Sequence, residues 1–293
     1  MEIGFIGAGK AGKALGLYFK SHGLTVSGYY SKTAQSAREA AALTASAAFG
    51  TVEEAAGPAG VVFIAVPDHA LEELDAEAAA LLRAGRIGGG KVWLHLSGAH
   101  PSDCLAGIKA AGGAVGSMHP LLSFGTPEDS AGRLNGAWFT LEGTDEAVRA
   151  ARAILDETGG RYSLMEAGGK AVYHAGACVV SNFLVTLLES GARFFEAAGM
   201  DRQDVFRAIG PLVDATLANI REKGPVEALT GPIVRGDYNT VGVHLKAIEA
   251  RLPSELDFYK ALALKTAEIL EGSRLTGAQT EKFRQILEET AHV

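Results

Sequence analysis

The opening of this chain limits its fold more than any other segment. The apolar run Ile3-Gly4-Phe5-Ile6 leads into Gly7-Ala8-Gly9-Lys10-Ala11-Gly12, which passes directly into Ala14-Leu15-Gly16-Leu17-Tyr18-Phe19. A strand that turns through G-x-G-x-x-G into a helix has the geometry that receives a dinucleotide pyrophosphate. The first glycine permits the tight turn, the second lets backbone approach phosphate, and the third brings helix and strand together. Free N–H groups and the positive end of the helix dipole then face the anion. A plain structural turn would use the same glycines.

The pattern continues as alternation. Leu24–Tyr30 reads as a second strand and Ala34–Leu43 as a helix. Val61–Val66 is a near-continuous apolar strand of the kind buried on both faces, closed by Pro67-Asp68 and followed by a helix over Ala70–Leu82. Lys91–Leu96, Ala114–Ser117, Ala137–Leu141 and Arg161–Leu164 read as further strands, with helices over Leu105–Ala111 and Ala147–Glu157. Strands interleaved with helices predict a doubly wound, mostly parallel α/β sheet. Beyond about Gly169 the strand signals fade. Lys170–Ala198 reads as one long helix, with others over Asp201–Arg221, His244–Ala250, Glu255–Leu270 and Gln279–Glu289. The reading is therefore two domains, an α/β one over 1–165 and an all-α one over 166–293.

Charge and composition narrow the partners. A net charge of -7 with no Lys or Arg run argues against nucleic acid, which needs a concentrated basic face. No apolar stretch of about 20 residues is free of polar interruption, so no membrane span is expected. Cys104 and Cys178 form no framework spacing, which suits a reducing cytoplasm, and nothing precedes the first strand to act as a leader. A cytoplasmic protein without a metal is expected.

The end of the second strand bears on the cofactor. An NAD site usually places an acidic residue there to accept from the ribose 2′-OH. This chain has Ser31-Lys32-Thr33, two hydroxyls and a cation suited to a 2′-phosphate, which points to NADP. Ser31 or Thr33 as a helix cap, with Lys32 in solvent, is the alternative. Val66-Pro67-Asp68 is placed to edge the ribose or nicotinamide, and its residue types equally suit a strand stop and a helix cap.

Hydride transfer also needs groups that polarise the substrate and hold it over the nicotinamide. Ser97 and His119 follow strands and are placed to line such a cleft, or to serve local loop bonds. On the long helix Lys170, His174, Cys178 and Asn182 recur every fourth residue, drifting by about 40° per step, while Ser181 returns to within about 20° of His174. His174, Cys178, Ser181 and Asn182 thus make a polar stripe on an apolar helix, and such groups need each other or a ligand. Between two later helices, Thr230 and Arg235 are candidates to hold a substrate hydroxyl or carboxylate. An Arg235–Asp237 pair that stiffens the loop is equally compatible. His244 reads as the start of a helix, at its surface.

Together these motifs carry a family resemblance. Gly7–Gly12, Val66-Pro67-Asp68, Leu96-Ser97-Gly98, His119-Pro120-Leu121, Ser123-Phe124, Tyr173-His174-Ala175, Ser181-Asn182-Phe183, Thr230-Gly231-Pro232, Arg235-Gly236-Asp237 and His244-Leu245 span nearly the whole chain. They resemble the Rossmann-like NADP oxidoreductases that have a helical C-terminal domain of uncharacterised function. These look like relatives of ketopantoate reductases, pyrroline-5-carboxylate reductases and 3-hydroxyacid dehydrogenases. The resemblance implies an NADP-dependent oxidoreductase of a small keto acid or imine, of ketopantoate reductase type, assembled as a homodimer through the long helices. A pyrroline-5-carboxylate reductase type and a non-catalytic NADP sensor are the alternatives. The sequence departs from the relatives at one point. Where ketopantoate reductases and 3-hydroxyacid dehydrogenases carry lysine four residues before an asparagine, Cys178 stands before Asn182. His174 becomes the expected proton donor, Asn182 the orienting group and Lys170 the substitute donor, with Asp237 beside Arg235 at the substrate.

Overall fold

The computed structural model describes residues 1–166 and 168–289, with the domain termini expected near 166 and at 293 falling at or beyond those limits. Two compact units emerge, Met1–Asn182 and Phe183–Val293. Secondary structure changes from α/β to all-α after residue 164, whereas the units divide one helix later.

The first unit alternates β1 (Glu2–Ile6), α1 (Lys10–Ser21), β2 (Thr25–Tyr30), α2 (Ala34–Thr44), β3 (Ala47–Phe49), α3 (Val52–Ala56), β4 (Val61–Ile64) and α4 (Leu71–Arg83). It continues with β5 (Val92–His95), α5 (Ala106–Ala110), β6 (Ala114–Pro120), α6 (Pro127–Leu134), β7 (Trp138–Gly143), α7 (Asp145–Thr158), β8 (Arg161–Leu164) and α8 (Lys170–Val180). The eight strands form one sheet in the order β3-β2-β1-β4-β5-β6-β7-β8. Pairing is parallel except where β7 returns against β6, so the expected mostly parallel, doubly wound sheet is observed. The strand order reverses between β1 and β4, which makes their carboxyl ends the switch point where such sheets take ligands.

Period-two alternation sorts the core onto the two faces. Phe5, Tyr29, Phe63, Leu94 and Met118 pack in one cluster with α1 and α7 residues, while Ile6, Val62, Ile64, Trp93 and Val115 pack in another with α4. All four residues of β4 are buried, as its unbroken apolar run requires. Phe5 stacks on Tyr29 and Phe63 at ring separations of 4.9 and 5.4 Å, which fixes three adjacent strands in register.

The single long helix expected over Lys170–Ala198 is instead two, α8 and α9 (Asn182–Ala197), broken at Ser181. Ser181 leaves the helical backbone at φ -119°, a non-helical turn inside an otherwise continuous apolar pattern. That segment, Lys170–Ala197, has a mean hydropathy of 1.6 and is long and apolar enough to cross a membrane by length and composition, contrary to the expectation of none. It carries Glu189 and Arg193, which pair with Arg202 and Glu255.

The second unit continues with α10 (Arg202–Lys223), α11 (Pro225–Ala228), α12 (Tyr238–Arg251), α13 (Leu256–Leu270) and α14 (Gly277–Glu289). Its core gathers Val241, Leu245, Ala263, Ala267, Leu270 and Phe283. The helix expected to start at His244 begins earlier, at Tyr238, so His244 lies inside α12, and its Nδ1 pairs with the Tyr259 hydroxyl at 2.8 Å.

Candidate functional site

At the switch point the opening turn is built by backbone contact. Gly7 holds φ +107°, a left-handed conformation that favours glycine, and a Cβ there would lie 2.3 Å from the Ala65 carbonyl oxygen. A Cβ on Gly12 would lie 2.5 Å from the Gly7 oxygen, so α1 is drawn against the turn. Gly9 differs, because a Cβ there would meet nothing within 4 Å. It caps α1 with no side-chain bond, which leaves the first helical N–H groups facing open space.

That space is a cavity of about 580 Å³ lined by Gly7, Ala8, Gly9, Lys10 and Ala11, by Ser31, Lys32 and Ser36, and by Val66 and Pro67. A side-chain-free helix terminus at the back, with hydroxyls and two lysines along the rim, fits a phosphorylated dinucleotide. Asp68 is not part of this lining. It begins a short turn with its carboxylate 3.8 Å from His100. The fold also corrects one reading of the rim, where the sequence showed no carboxylate. Glu73 and Glu77 of α4 line the same cavity, and Glu73 pairs with the Lys32 ammonium at 3.0 Å. Both partners are about three-quarters exposed, so the pair is worth roughly 0–1 kcal/mol and can open.

A second cavity, of about 340 Å³, opens beyond the ends of β5 and β6. His119 from β6, Leu121, Leu122 and Ser123 form one wall, and His174, Cys178, Ser181 and Asn182 the other. The polar stripe read along the helix is therefore gathered at one cavity, even though the helix breaks at Ser181. His174 Nδ1 lies 3.9 Å from Cys178 Sγ. Both cysteines are free. His119 is held from behind by the Tyr173 hydroxyl, 2.8 Å from Nδ1, with the two rings edge to face. Burial pulls its imidazole down to about 4, reinforced by Lys170 and His174 and opposed by Asp68, so the ring is neutral at pH 7.

Lys170 and Ser97, read in the sequence as donors to a substrate, are not among the residues that line this cavity. The Lys170 side chain is buried, and its Nζ donates to the Ser97 carbonyl at 2.7 Å and to Ser117 Oγ at 2.5 Å. The ammonium is a strut tying α8 to the ends of β5 and β6. Burial lowers it to about 8, with the Glu142 carboxylate opposing the shift. The Ser97 hydroxyl accepts from the Ala99 and His100 amides and so shapes the loop after β5.

Thr230, Arg235 and Asp237 belong to the second unit. Thr230 and Arg235 are exposed. Asp237 is the cap of α12, accepting from the Thr240 amide at 3.0 Å and the Thr240 hydroxyl at 2.7 Å. Those two bonds hold its carboxyl below the usual range, with a smaller pull from Arg235. Among the described residues no group of three or more His, Cys, Asp or Glu side chains is placed to hold a metal.

Sequence reasoning missed three participants. Tyr173 stood beside His174 but pointed to no partner until the fold brought it to His119. Glu73 was hidden because α4 lies far from β2 in sequence. Gly98 entered the sequence reading only within the motif Leu96-Ser97-Gly98, although a Cβ there would come within 2.8 Å of His119 Nε2 and 2.9 Å of His174 Cδ2.

The fold and the glycine cradle are of the Rossmann type. Residues 1–120 match the Rossmann-like domain, and residues 137–266 match a domain of unknown function, DUF2520. The chain combines these two domains, as its resemblance implied. Among solved structures, a Bacteroides fragilis protein assigned as an NADP oxidoreductase is 23% identical with TM-score 0.68, over 91% of this chain and 98% of its own. A Thermotoga maritima protein, TM1727, is 24% identical with TM-score 0.65, over 99% of both chains. An imine reductase from Pseudomonas is 17% identical with TM-score 0.59, over 96% of this chain and 90% of its own. At these identities the likeness is one of fold. No curated protein matches the chain.

Two outcomes are expected from this geometry. Gly9→Ala adds a methyl that meets no protein atom but enters the phosphate path. It should lose at least tenfold in NADPH affinity by fluorescence titration, while apo stability falls by about 1 kcal/mol or less. Unchanged affinity would remove Gly9 from the cradle. Lys170→Met should destabilise the protein by about 1–3 kcal/mol, because the Ser97 carbonyl and Ser117 hydroxyl lose their cation. The folded lysine releases its proton near 8 and the unfolded one near 10.5, so unfolding takes up a proton between those values and wild-type stability rises with pH there. The denaturation gap between wild type and Lys170→Met should widen from pH 8 to 10, and a flat or narrowing gap would contradict the lowered pKa of the buried lysine.

Proposed function

We propose that this chain is an NADP-dependent oxidoreductase that moves hydride between the nicotinamide and a small keto acid or imine. The observation that carries the reading is the pair of cavities at the carboxyl edge of one parallel sheet. One is a glycine-backed phosphate cradle at β1 and β4, and the other a histidine-lined pocket at β5 and β6. Bound there, the cofactor supplies the hydride. The backbone of Gly7, Ala8, Gly9, Lys10 and Ala11 holds the pyrophosphate. Ser31 and Lys32 take the 2′-phosphate once Lys32 leaves Glu73, and Val66 and Pro67 edge the ribose. His119, His174 and Asn182 orient the substrate and exclude water from it.

A ketopantoate-type keto acid is the first substrate considered. An imine is the second, supported by similarity to the Pseudomonas imine reductase and to a pyrroline-5-carboxylate reductase from Coxiella burnetii. We also propose a cytoplasmic homodimer, because the second unit exposes large apolar side chains, Phe183, Val185, Phe206 and Leu212 among them, that water covers at a cost.

Purified protein given NADPH and a panel of keto acids and cyclic imines should oxidise the cofactor above background with at least one substrate. Its KM for NADPH should be at least tenfold below that for NADH. Tight NADPH binding without turnover across the panel would overturn the enzyme in favour of a cofactor sensor. Light scattering should return twice the mass of one chain, and a monomer at working concentration would refute the dimer.

A further inference from the structure

We propose that the histidine-lined cavity recognises an uncharged carbonyl oxygen through the Nε2–H of His119, a donor oriented by the Tyr173 hydroxyl, and so selects a carbonyl group over an iminium ion. The inference rests on the oxidoreductase reading and narrows its substrate class.

The orientation of the imidazole fixes which nitrogen carries the proton. Tyr173 Oη lies 2.8 Å from His119 Nδ1. We assign the phenol as the donor and Nδ1 as the acceptor in this contact, the pairing that best matches donor and acceptor strength. The neutral ring then bears its proton on Nε2. That nitrogen has no hydrogen-bond partner among the described residues and is not among the buried orphaned atoms, and His119 is part of the cavity lining. Gly98 supplies the room, because any β-carbon there would strike both Nε2 and the neighbouring His174 ring. His174 is less constrained, with only the thiol of Cys178 at 3.9 Å.

The rest of the lining agrees. Its ten residues include neither a carboxylate nor a lysine or arginine. An iminium needs an acceptor or a counter-charge, and a neutral N–H donor repels it. A carbonyl oxygen needs only the donor. The groups that bear on His119 hold the same state. Lys170 and His174 disfavour a charged ring and Asp68 opposes them, while burial dominates and keeps it neutral. Burial also raises the Tyr173 phenol, with the neighbouring Thr140 hydroxyl opposing the shift.

The test uses unreactive conditions. With the full chain saturated in NADP⁺, which cannot deliver hydride, the affinities of cyclopentanone and of 2-methyl-1-pyrroline near pH 6 are compared by calorimetry. Cyclopentanone should bind at least tenfold more tightly. Tyr173→Phe should weaken the ketone about tenfold with little change for the imine. His119→Gln, which keeps an N–H donor, should retain more ketone affinity than His119→Phe. Imine binding equal to or tighter than the ketone, or no ketone binding, would overturn the proposal. Nitrogen NMR of histidine-labelled protein needs no cofactor and keeps the test independent of variant folding. His119 should show the Nε2–H tautomer in the wild type, and an Nδ1–H tautomer or an imidazolium at pH 7 would overturn it. Failure of the oxidoreductase reading would appear separately, as absent NADPH binding with the tautomer intact.

Discussion

Where the first strand ends, backbone packs directly on backbone, and the site depends on that contact. Gly7 sits against the Ala65 carbonyl, and Gly12 sits against the Gly7 carbonyl. The Gly7 amide donates to the Tyr30 oxygen at 2.8 Å and the Ala65 amide to the Ile6 oxygen at 2.7 Å, joining the ends of β2, β1 and β4. Any side chain at Gly7 or Gly12 would force these strand ends apart. Their closeness aims the start of α1 into the split between β1 and β4, where unpaired N–H groups and the helix dipole favour an anion.

The same edge continues across β5 and β6 with a different device. A buried ammonium, Lys170, replaces backbone contact as the fastener, drawing the start of α8 to the Ser97 carbonyl and Ser117 hydroxyl. With the helix anchored there, Tyr173 and His174 fall one turn on, at His119, and Cys178 follows at the next turn. The lysine is thus a positioning residue. Two of its three N–H groups have acceptors, which offsets part of the cost of its burial.

Much of this was legible in the sequence for identifiable reasons. Strong strand runs such as Val61–Ile64 and the glycine turn have strict local requirements, so their places followed from residue types alone. β3, only Ala47–Phe49, and α6, Pro127–Leu134, carry too few periodic residues to stand out. The helix break at Ser181 lacks a glycine or proline to announce it. Spacing and strand ends singled out His119, His174, Cys178 and Asn182 in the sequence, and the fold gathers them at one cavity. Lys170 and Ser97 were misread because their partners, a carbonyl and loop amides, leave no trace in side-chain spacing. Tyr173 with His119 and Lys32 with Glu73 are long-range pairs that only the fold assembles. Asp237, read in the sequence as a partner of Arg235, is a local cap that accepts from Thr240.

The central claim is that one sheet edge serves both cofactor and substrate, and hydrogen exchange with and without NADPH tests it most directly. The account predicts slowed exchange in the turn after β1, in residues 31–36 and 65–70, and in the loop after β5 with the start of α8. Exchange in the opposite ends of the same strands should be unchanged. Protection absent from the Gly7–Gly12 turn, or confined to segments away from that edge, would contradict it.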